Sequence, residues 1–473
     1  MNRTGKVVLS ITAFALVLEF ILLKELPFFW DGISKAYRAD WIYTHHFSSL
    51  IVPTEFNSGH PPLWITLIAL FWTLFGKTVW AARLLLLLIN LGTFYQLFLL
   101  CKKSFVPGVS LLFFLLVAID PTLIAQTTIL NNDMLLLFFV LLGLNSLLIH
   151  KWGWYTLAII GLLLTNLRGI YCVISFGAIH FLWVRYAELA YDRKMLRAYF
   201  TGSVVFIGFL FVQYSELGWI LISKNENYAA HREIVGFARV AKNAAAYVKN
   251  LLDFGRVFLW IPFGIILVSI FKNKNRQLSR SSKRIFIALT VFTLVFFFGF
   301  VPFNNPMGPR YLMICFILAC ILFINLLFGS HIKESLRKGL VALIVLAFIT
   351  GHFWIYPAII SQGWDSSLAY LNYFSEEKKM LTYISEENIP IDEIGTHLPL
   401  NSKHMATIGA TEKFDPPFAV PDLNTNRYFL FSNVENRTKD DGIKILRTEW
   451  KEIVTYSRMG VFLTLYENPE KID

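Results

Sequence analysis

The chain has 473 residues, of which 56% are hydrophobic and 16% aromatic, and its mean hydropathy is +0.55. A soluble globular protein of this length cannot hide that much apolar surface, so composition places the chain in a bilayer. The net charge of +11 does not indicate nucleic acid, because the basic residues lie in short clusters between apolar runs rather than on one face, as membrane topology demands.

The first apolar run, Val7 to Leu23, follows Arg3 and Lys6 and leads straight into Lys24-Glu25-Leu26-Pro27. Without a small-residue cleavage site it reads as an uncleaved first helix. A spanning helix needs roughly 20 apolar residues. Runs of this kind lie near 7–25, 79–101, 106–119, 134–150, 153–167, 169–186, 198–213, 256–271, 285–302, 310–328 and 338–356, which predicts about eleven spans. With the N-terminus inside, Arg3 and Lys6, Lys102-Lys103, Lys151, Arg185 to Arg197, Lys272 to Arg284 and Lys333 to Lys338 all fall on one side. Positive residues favour the cytoplasm, so an odd number of spans places the C-terminal tail outside. The four cysteines, Cys101, Cys172, Cys315 and Cys320, fall inside apolar segments, which indicates neither a disulfide scaffold nor a metal knuckle.

Two regions depart from the pattern of spans. In residues 26–78, Ile33, Tyr37 and Trp41 share one helical face with Lys35 and Arg38 off it, which predicts a helix lying in the interface. The run Leu63 to Phe75 is short for a span and predicts a second interfacial or re-entrant helix. In the tail, 361–473, hydrophobicity drops, acidic pairs appear, and short β-like runs (Arg427 to Phe431, Gly460 to Tyr466) alternate with helical stretches. Some 110 residues suffice for a core, so the expected organisation is a transmembrane domain over 1–360 and a small extracytoplasmic α/β domain over 361–473. The fold class is mostly α, a polytopic membrane helix bundle.

The candidate chemistry gathers where spans are expected to emerge on the outer side. Asp31, in Phe28-Phe29-Trp30-Asp31-Gly32, follows the first helix, and Lys35, Arg38 and Asp40 come within ten residues of it. A cap explains a lone Asp here; together these residues supply a carboxylate able to deprotonate an acceptor and cations able to hold a phosphate. His60 precedes Pro61-Pro62, which fix the backbone and start the next helix, and it also suits the lining of the same pocket. Asp133 follows Asn131-Asn132 in an N-cap pattern and is placed to face the same cavity. Arg168 and Arg310, each at a helix end, fit snorkelling to the interface and equally fit bidentate recognition of phosphate.

The early acidic loop, His60-Pro61-Pro62-Leu63, Ala81-Ala82-Arg83-Leu84, Asn132-Asp133, Leu167-Arg168-Gly169 and Pro309-Arg310-Tyr311 together, in this order, resemble the polytopic C-type glycosyltransferases. The nearest branch is the one that contains the protein O-mannosyltransferases and the lipid A aminoarabinose transferase. The resemblance covers most of residues 1–356. It implies a polyprenyl-phosphate-linked sugar donor, chemistry on the outer face and inversion at the anomeric carbon, with Asp31 as the catalytic acid residue and Arg168 and Arg310 accompanying the donor phosphate. Lys35, Arg38, Asp40, His60, Asp133 and Tyr311 are expected to complete the substrate site. Many members carry Asp-Glu where this chain has Asp31-Gly32, which leaves open the second acid's task; no metal ligands are assigned, and a divalent cation stays open.

The expected activity is therefore a hexosyl- or pentosyltransferase, mannosyltransferase-like in its resemblance, acting on a glycan, lipid or protein acceptor. It would sit among the lipids of a bacterial inner (plasma) membrane. The rival reading is a transporter or flippase of lipid-linked sugars. Transporters place charges near the midplane and show repeats and broken helices, whereas here the polar groups collect at span ends. A scaffold whose tail binds partners leaves the Asp31 loop unexplained.

Overall fold

All eleven apolar runs are helical, but their lengths divide them. In the computed structural model, which describes residues 3–272, 277–329, 332–397, 399–401, 408–410 and 414–471, the chain begins with the full-length α1 (Arg3–Leu23). The first loop carries α2 (Asp31–Thr44) and the 13-residue α3 (Leu63–Phe75). The long α4 (Val79–Ser104) follows, its first turn capped by the Thr78 hydroxyl, which accepts from the Ala81 N–H at 3.3 Å. Then α5 (Phe114–Ala118) and α6 (Pro121–Thr128) meet at 68°. Pro121 cannot continue the preceding helix, and the Asp120 carboxylate caps the new one by accepting from the N–H groups of Thr122 and Leu123.

Next come α7 (Asp133–Leu148) and α8 (Trp152–Thr165), apolar but only 16 and 14 residues long, and the full-length α9 (Arg168–Tyr186) and α10 (Arg193–Leu217). A single turn, α11 (Glu226–Ala229), precedes α12 (Phe237–Leu252), which meets α13 (Val257–Lys272) at 92°. The helical part closes with α14 (Arg280–Phe300), α15 (Met313–Gly329) and α16 (Glu334–Gly351).

Among the described residues, six helices are long and apolar enough to cross a membrane, or eight if each bent pair is one span, rather than the eleven expected from hydropathy. A hydropathy window registers apolar content and is blind to length and breaks. At 1.5 Å per residue α7 and α8 reach only about 24 and 21 Å, short of a hydrocarbon core of about 30 Å. The run at 106–119 is interrupted at Asp120, and α16 begins with Glu334, Arg337 and Lys338. With 89% of its apolar window buried against 17% for α1, α15 is the central helix and α1 a peripheral one. The protein is an integral membrane protein by these helices.

At one end of the bundle α1, α6, α8, α10, α14 and α16 finish while α4, α7, α9 and α15 begin. Side chains tie these ends together: Arg83 donates to the Leu26 and Thr128 carbonyls, and Asn132 to the Thr165 carbonyl. The basic clusters at Lys102-Lys103, Lys151, Arg185, Lys272 and Arg280 occupy the opposite ends of the same helices. All four cysteines are free and buried.

The face of α2 differs from expectation. Gly32, Ile33, Ala36, Arg38, Ala39 and Ile42 are the buried positions, with Tyr37 and Trp41 only partly covered. The small alanines let α2 approach α3 closely, a contact that a pattern of large apolar residues does not reveal.

The tail forms a four-stranded sheet of β1 (Ile394–Thr396), β2 (Tyr428–Ser432), β3 (Lys451–Arg458) and β4 (Val461–Glu467) in the order β1-β2-β4-β3. β1 and β2 are parallel and the other pairs antiparallel. The expected strands at 427–431 and 460–466 correspond to β2 and β4. The polar sequence of β3 disguised it; it is an edge strand, where exposed charge discourages pairing with other chains. One face of the sheet packs Leu430, Leu463 and Leu465 on Tyr373, Met380 and Ile384 of α17 (Leu371–Glu386), and the other packs Phe429, Phe431 and Tyr466 on Ile443 and Leu446 of α18 (Asp440–Thr448). The first core also takes in Phe29 from the first loop and Ile129 from the bundle, so the α/β unit is welded to the helix ends that carry the polar groups.

Candidate active site

Asp31 is held in place from both sides of its own chain. The Phe28 N–H donates to the Gly409 carbonyl at 2.6 Å. A Cβ on Gly409, whose φ is +92°, would lie 1.9 Å from the Phe28 ring, so only glycine allows this approach. Phe29 packs tilted against Tyr370 and Trp30 edge-on against Tyr373, with ring centroids 4.5 and 4.9 Å apart. Trp30 has φ +24° and ψ −88°, an unusual backbone for an aromatic residue, of the kind that persists where surrounding packing imposes it. Asp31 then opens α2, its carboxylate favoured by the helix N-terminus.

Gly32 is closely packed. A Cβ there would come within 3.0 Å of the Phe28 Cβ and 3.4 Å of the Leu130 carbonyl oxygen, so a side chain at this position requires its neighbours to shift.

Arg310 is the hub of the site. It lies in the turn before α15 with its side chain 13% exposed, and each guanidinium nitrogen faces a different carboxylate. Nη2 donates to Asp31 at 2.7 Å, Nε lies 3.6 Å from Asp133, and Nη1 donates to Asp365. Asp133, at the start of α7 and 1% exposed, is also paired with Arg168 at 2.6 Å. The Arg168 guanidinium lies 4.0 Å over the Tyr311 ring, and that of Arg310 lies 5.3 Å from it. Desolvation works against ionised Asp31, but Arg310, Lys35 and Arg38 outweigh it and hold the carboxyl well below the usual range. Asp365, more deeply desolvated and repelled by Asp31 and Asp133, is raised despite Arg310.

One turn along α2, Lys35 lines a cavity with Arg38, Ser58, His60, Trp64, Asn132 and Thr165. Desolvation and the Arg38 charge lower the Lys35 ammonium to about 7, with Asp31 opposing them. Desolvation, Lys35 and the arginines Arg232, Arg168 and Arg38 push His60 well below its usual value, and its Nδ1 is buried without a hydrogen-bond partner among the described residues. The other two early candidates are occupied elsewhere. Arg38 donates to the Phe56 carbonyl at 2.7 Å, the Ser58 hydroxyl at 3.0 Å and the Tyr228 hydroxyl at 2.7 Å. Asp40 pairs with Lys77 at 2.5 Å, on the side of α2 toward the α3–α4 turn.

Thus Asp31, Asp133, Arg168, Arg310 and Tyr311 form one linked group, Lys35, Arg38 and His60 line the adjoining cavity, and Arg38 and Asp40 also brace the first loop. Sequence reasoning missed Asp365, which sits in an unremarkable Gly363-Trp364-Asp365-Ser366 segment. It also missed a buried bidentate pair in which Arg256 Nε and Nη2 each donate to Asp120 at 2.7 Å. Asp120 and Arg256 stand at the breaks of the two bent helix pairs, so one ion pair clamps both kinks. An acid before a proline inside an apolar run was the available signal. Among the described residues no three His, Cys, Asp or Glu side chains cluster to hold a metal ion; the three aspartates converge on a guanidinium.

The sequence matches no family profile and no curated protein. Its structure does find counterparts. ArnT from Cupriavidus metallidurans bound to undecaprenyl phosphate superposes with a TM-score of 0.54 over 99% of both chains at 11% identity. The same protein in the apo state gives 0.53 over 98% of both chains at 13% identity. The chain shares the fold of these two ArnT structures. That likeness extends through the α/β unit as well as the bundle, so the helix ends and the sheet above them share one overall arrangement with the two ArnT structures.

Proposed function

We propose that the protein is an inverting glycosyltransferase that moves a sugar from a polyprenyl-phosphate donor to an acceptor hydroxyl at the outer face of a bacterial inner membrane. The observation that carries this reading is the Arg310 hub: a carboxylate, Asp31, and two guanidiniums, Arg310 and Arg168, from helices far apart in sequence meet at one end of the bundle. The ArnT structure with undecaprenyl phosphate bound, on the same fold, supports a lipid-phosphate donor.

The chemistry needs little more. The acceptor oxygen attacks the anomeric carbon, its proton passes to Asp31 as general base, and the bond from the anomeric carbon to the phosphate oxygen breaks with its electron pair leaving on the phosphate. Arg310 and Arg168 stabilise that departing charge, and Lys35 with His60 lines the adjoining cavity for donor groups. Attack opposite the phosphate gives inversion. The lipid tail stays among the apolar helices while the phosphate and sugar reach the polar end, and the 361–473 unit, above that end, covers the site and faces the acceptor, whether glycan, lipid or protein. The placement of basic clusters at the opposite end supports the outer location.

The test is direct. Purified protein is incubated with a panel of polyprenyl-phosphate sugars, and sugar transfer or release is followed. Transfer that disappears in Asp31→Asn supports the reading; passage of intact donor across the bilayer with no sugar–phosphate bond broken would support the transporter instead.

A further inference from the structure

Each nitrogen of the Arg310 guanidinium faces a carboxylate. A guanidinium offers its N–H groups in a planar fork, and here Nε, Nη1 and Nη2 are directed to Asp133, Asp365 and Asp31. A phosphate that binds this arginine in bidentate fashion enters among N–H groups that already face carboxylates. Asp31, Asp133 and Asp365 face the cations Arg310, Arg168 and Lys35, so a phosphate entering without a carboxylate leaving tips the cluster to net negative charge.

The three carboxylates are not equally replaceable. Asp133 is 1% exposed and shared with Arg168, so displacing it strips two arginines at once. Asp31 is the proposed base and must stay beside the acceptor. Among the described residues, the Asp365 carboxylate has one further hydrogen bond, at 3.1 Å from the Ser366 hydroxyl. Its loop is tied to α6 through the backbone: the Gln126 amide donates to the Asp365 carbonyl at 2.7 Å and the Thr122 hydroxyl to the Ser366 carbonyl at 3.1 Å. The Asp365 side chain can therefore leave Arg310 at the cost of one ion pair and one hydrogen bond while its backbone stays tied.

We infer that Asp365 is the exchangeable ligand of Arg310, a resident carboxylate that the donor phosphate displaces, and so the residue that sets donor affinity. This rests on the glycosyltransferase reading above and names a residue that reading does not use. The displaced Asp365 swings out of the guanidinium plane, and the phosphate takes its Nη1 edge; no covalent bond changes in this step. Asp365 would then select for ligands whose anionic charge competes successfully with a carboxylate and exclude neutral polyprenyl lipids.

The experiment measures binding of undecaprenyl phosphate, and of undecaprenol as its uncharged counterpart, to the full-length protein in detergent by tryptophan fluorescence. In Asp365→Asn the dissociation constant for undecaprenyl phosphate should fall roughly threefold to tenfold, with undecaprenol unchanged, while Asp365→Glu, which restores the charge, stays near wild type. Should Asp365→Asn fail to fold, Gln126→Ala, which unties the loop, should tighten phosphate binding in the same direction. Unchanged or weaker binding of undecaprenyl phosphate in the folded variant, or equal tightening for undecaprenol, overturns the inference. If wild type binds no polyprenyl phosphate at all, the donor reading itself has failed.

Discussion

Asp31 and Arg310 are joined by a 2.7 Å charge-assisted hydrogen bond across a separation of 279 residues. The pair keeps Asp31 ionised but weakens it as a base, since a carboxylate stabilised by a guanidinium gives up little of that stabilisation to accept a proton. A phosphate that takes the Nη1 edge of Arg310 would share the guanidinium's charge with Asp31 and raise its basicity when the donor is in place.

Asp31→Asn keeps the shape and removes the base. Sugar transfer should drop by about 10²- to 10⁴-fold in kcat, while undecaprenyl phosphate still binds. A variant that transfers sugar at more than a tenth of the wild-type rate would remove Asp31 from the chemistry.

The Lys35 ammonium, lowered to about 7, makes donor binding pH-dependent. Lys35 is cationic below that value and loses its charge as pH rises through it. A sugar phosphodiester does not titrate there, and His60 is neutral throughout. KM for the donor should therefore rise as pH passes from 6 to 8, and Lys35→Met should flatten that part of the profile. A profile identical in the two proteins would show that Lys35 does not meet the donor.

Arg256 and Asp120 test structure apart from chemistry. Arg256 is fully buried and bidentate, so Arg256→Met leaves an unpaired buried carboxylate and should cost about 3–5 kcal/mol, read as a lowered unfolding midpoint in detergent. The double variant Arg256→Met with Asp120→Asn should recover part of the loss. A double variant no more stable than the single one would separate the pair energetically.

Gly32→Ala should destabilise the protein by about 1–3 kcal/mol through overpacking against Phe28 and Leu130, and it should reduce transfer because the shift falls beside Asp31. Thermal unfolding and a transfer assay on the same preparation check both; a neutral variant would mean that the first loop yields easily.

Amphipathic and apolar periodicity is a local property, and it was enough to place the helices of the apolar runs together with α2 and α3, the strands β2 and β4, and the candidate residues Asp31, Asp133, Arg168 and Arg310 at helix ends, but not α6 or α12. It failed where a neighbour decides. The buried face of α2 is set by alanines that fit α3, and the number of spans depends on kinks clamped by Asp120 and Arg256, residues 136 positions apart. Asp365 resembles any loop acid until the turn before α15 brings Arg310 to it.

The sequence by itself determined a membrane bundle with acids and arginines at its helix ends and a mixed α/β tail, because burial of apolar side chains and the cost of placing charge in lipid act residue by residue. Which carboxylates share Arg310, which basic residues are spent bracing the first loop, and how the tail locks Phe28 and Phe29 beneath it were decided only by the tertiary structure, since each is a contact between segments that local patterning cannot couple.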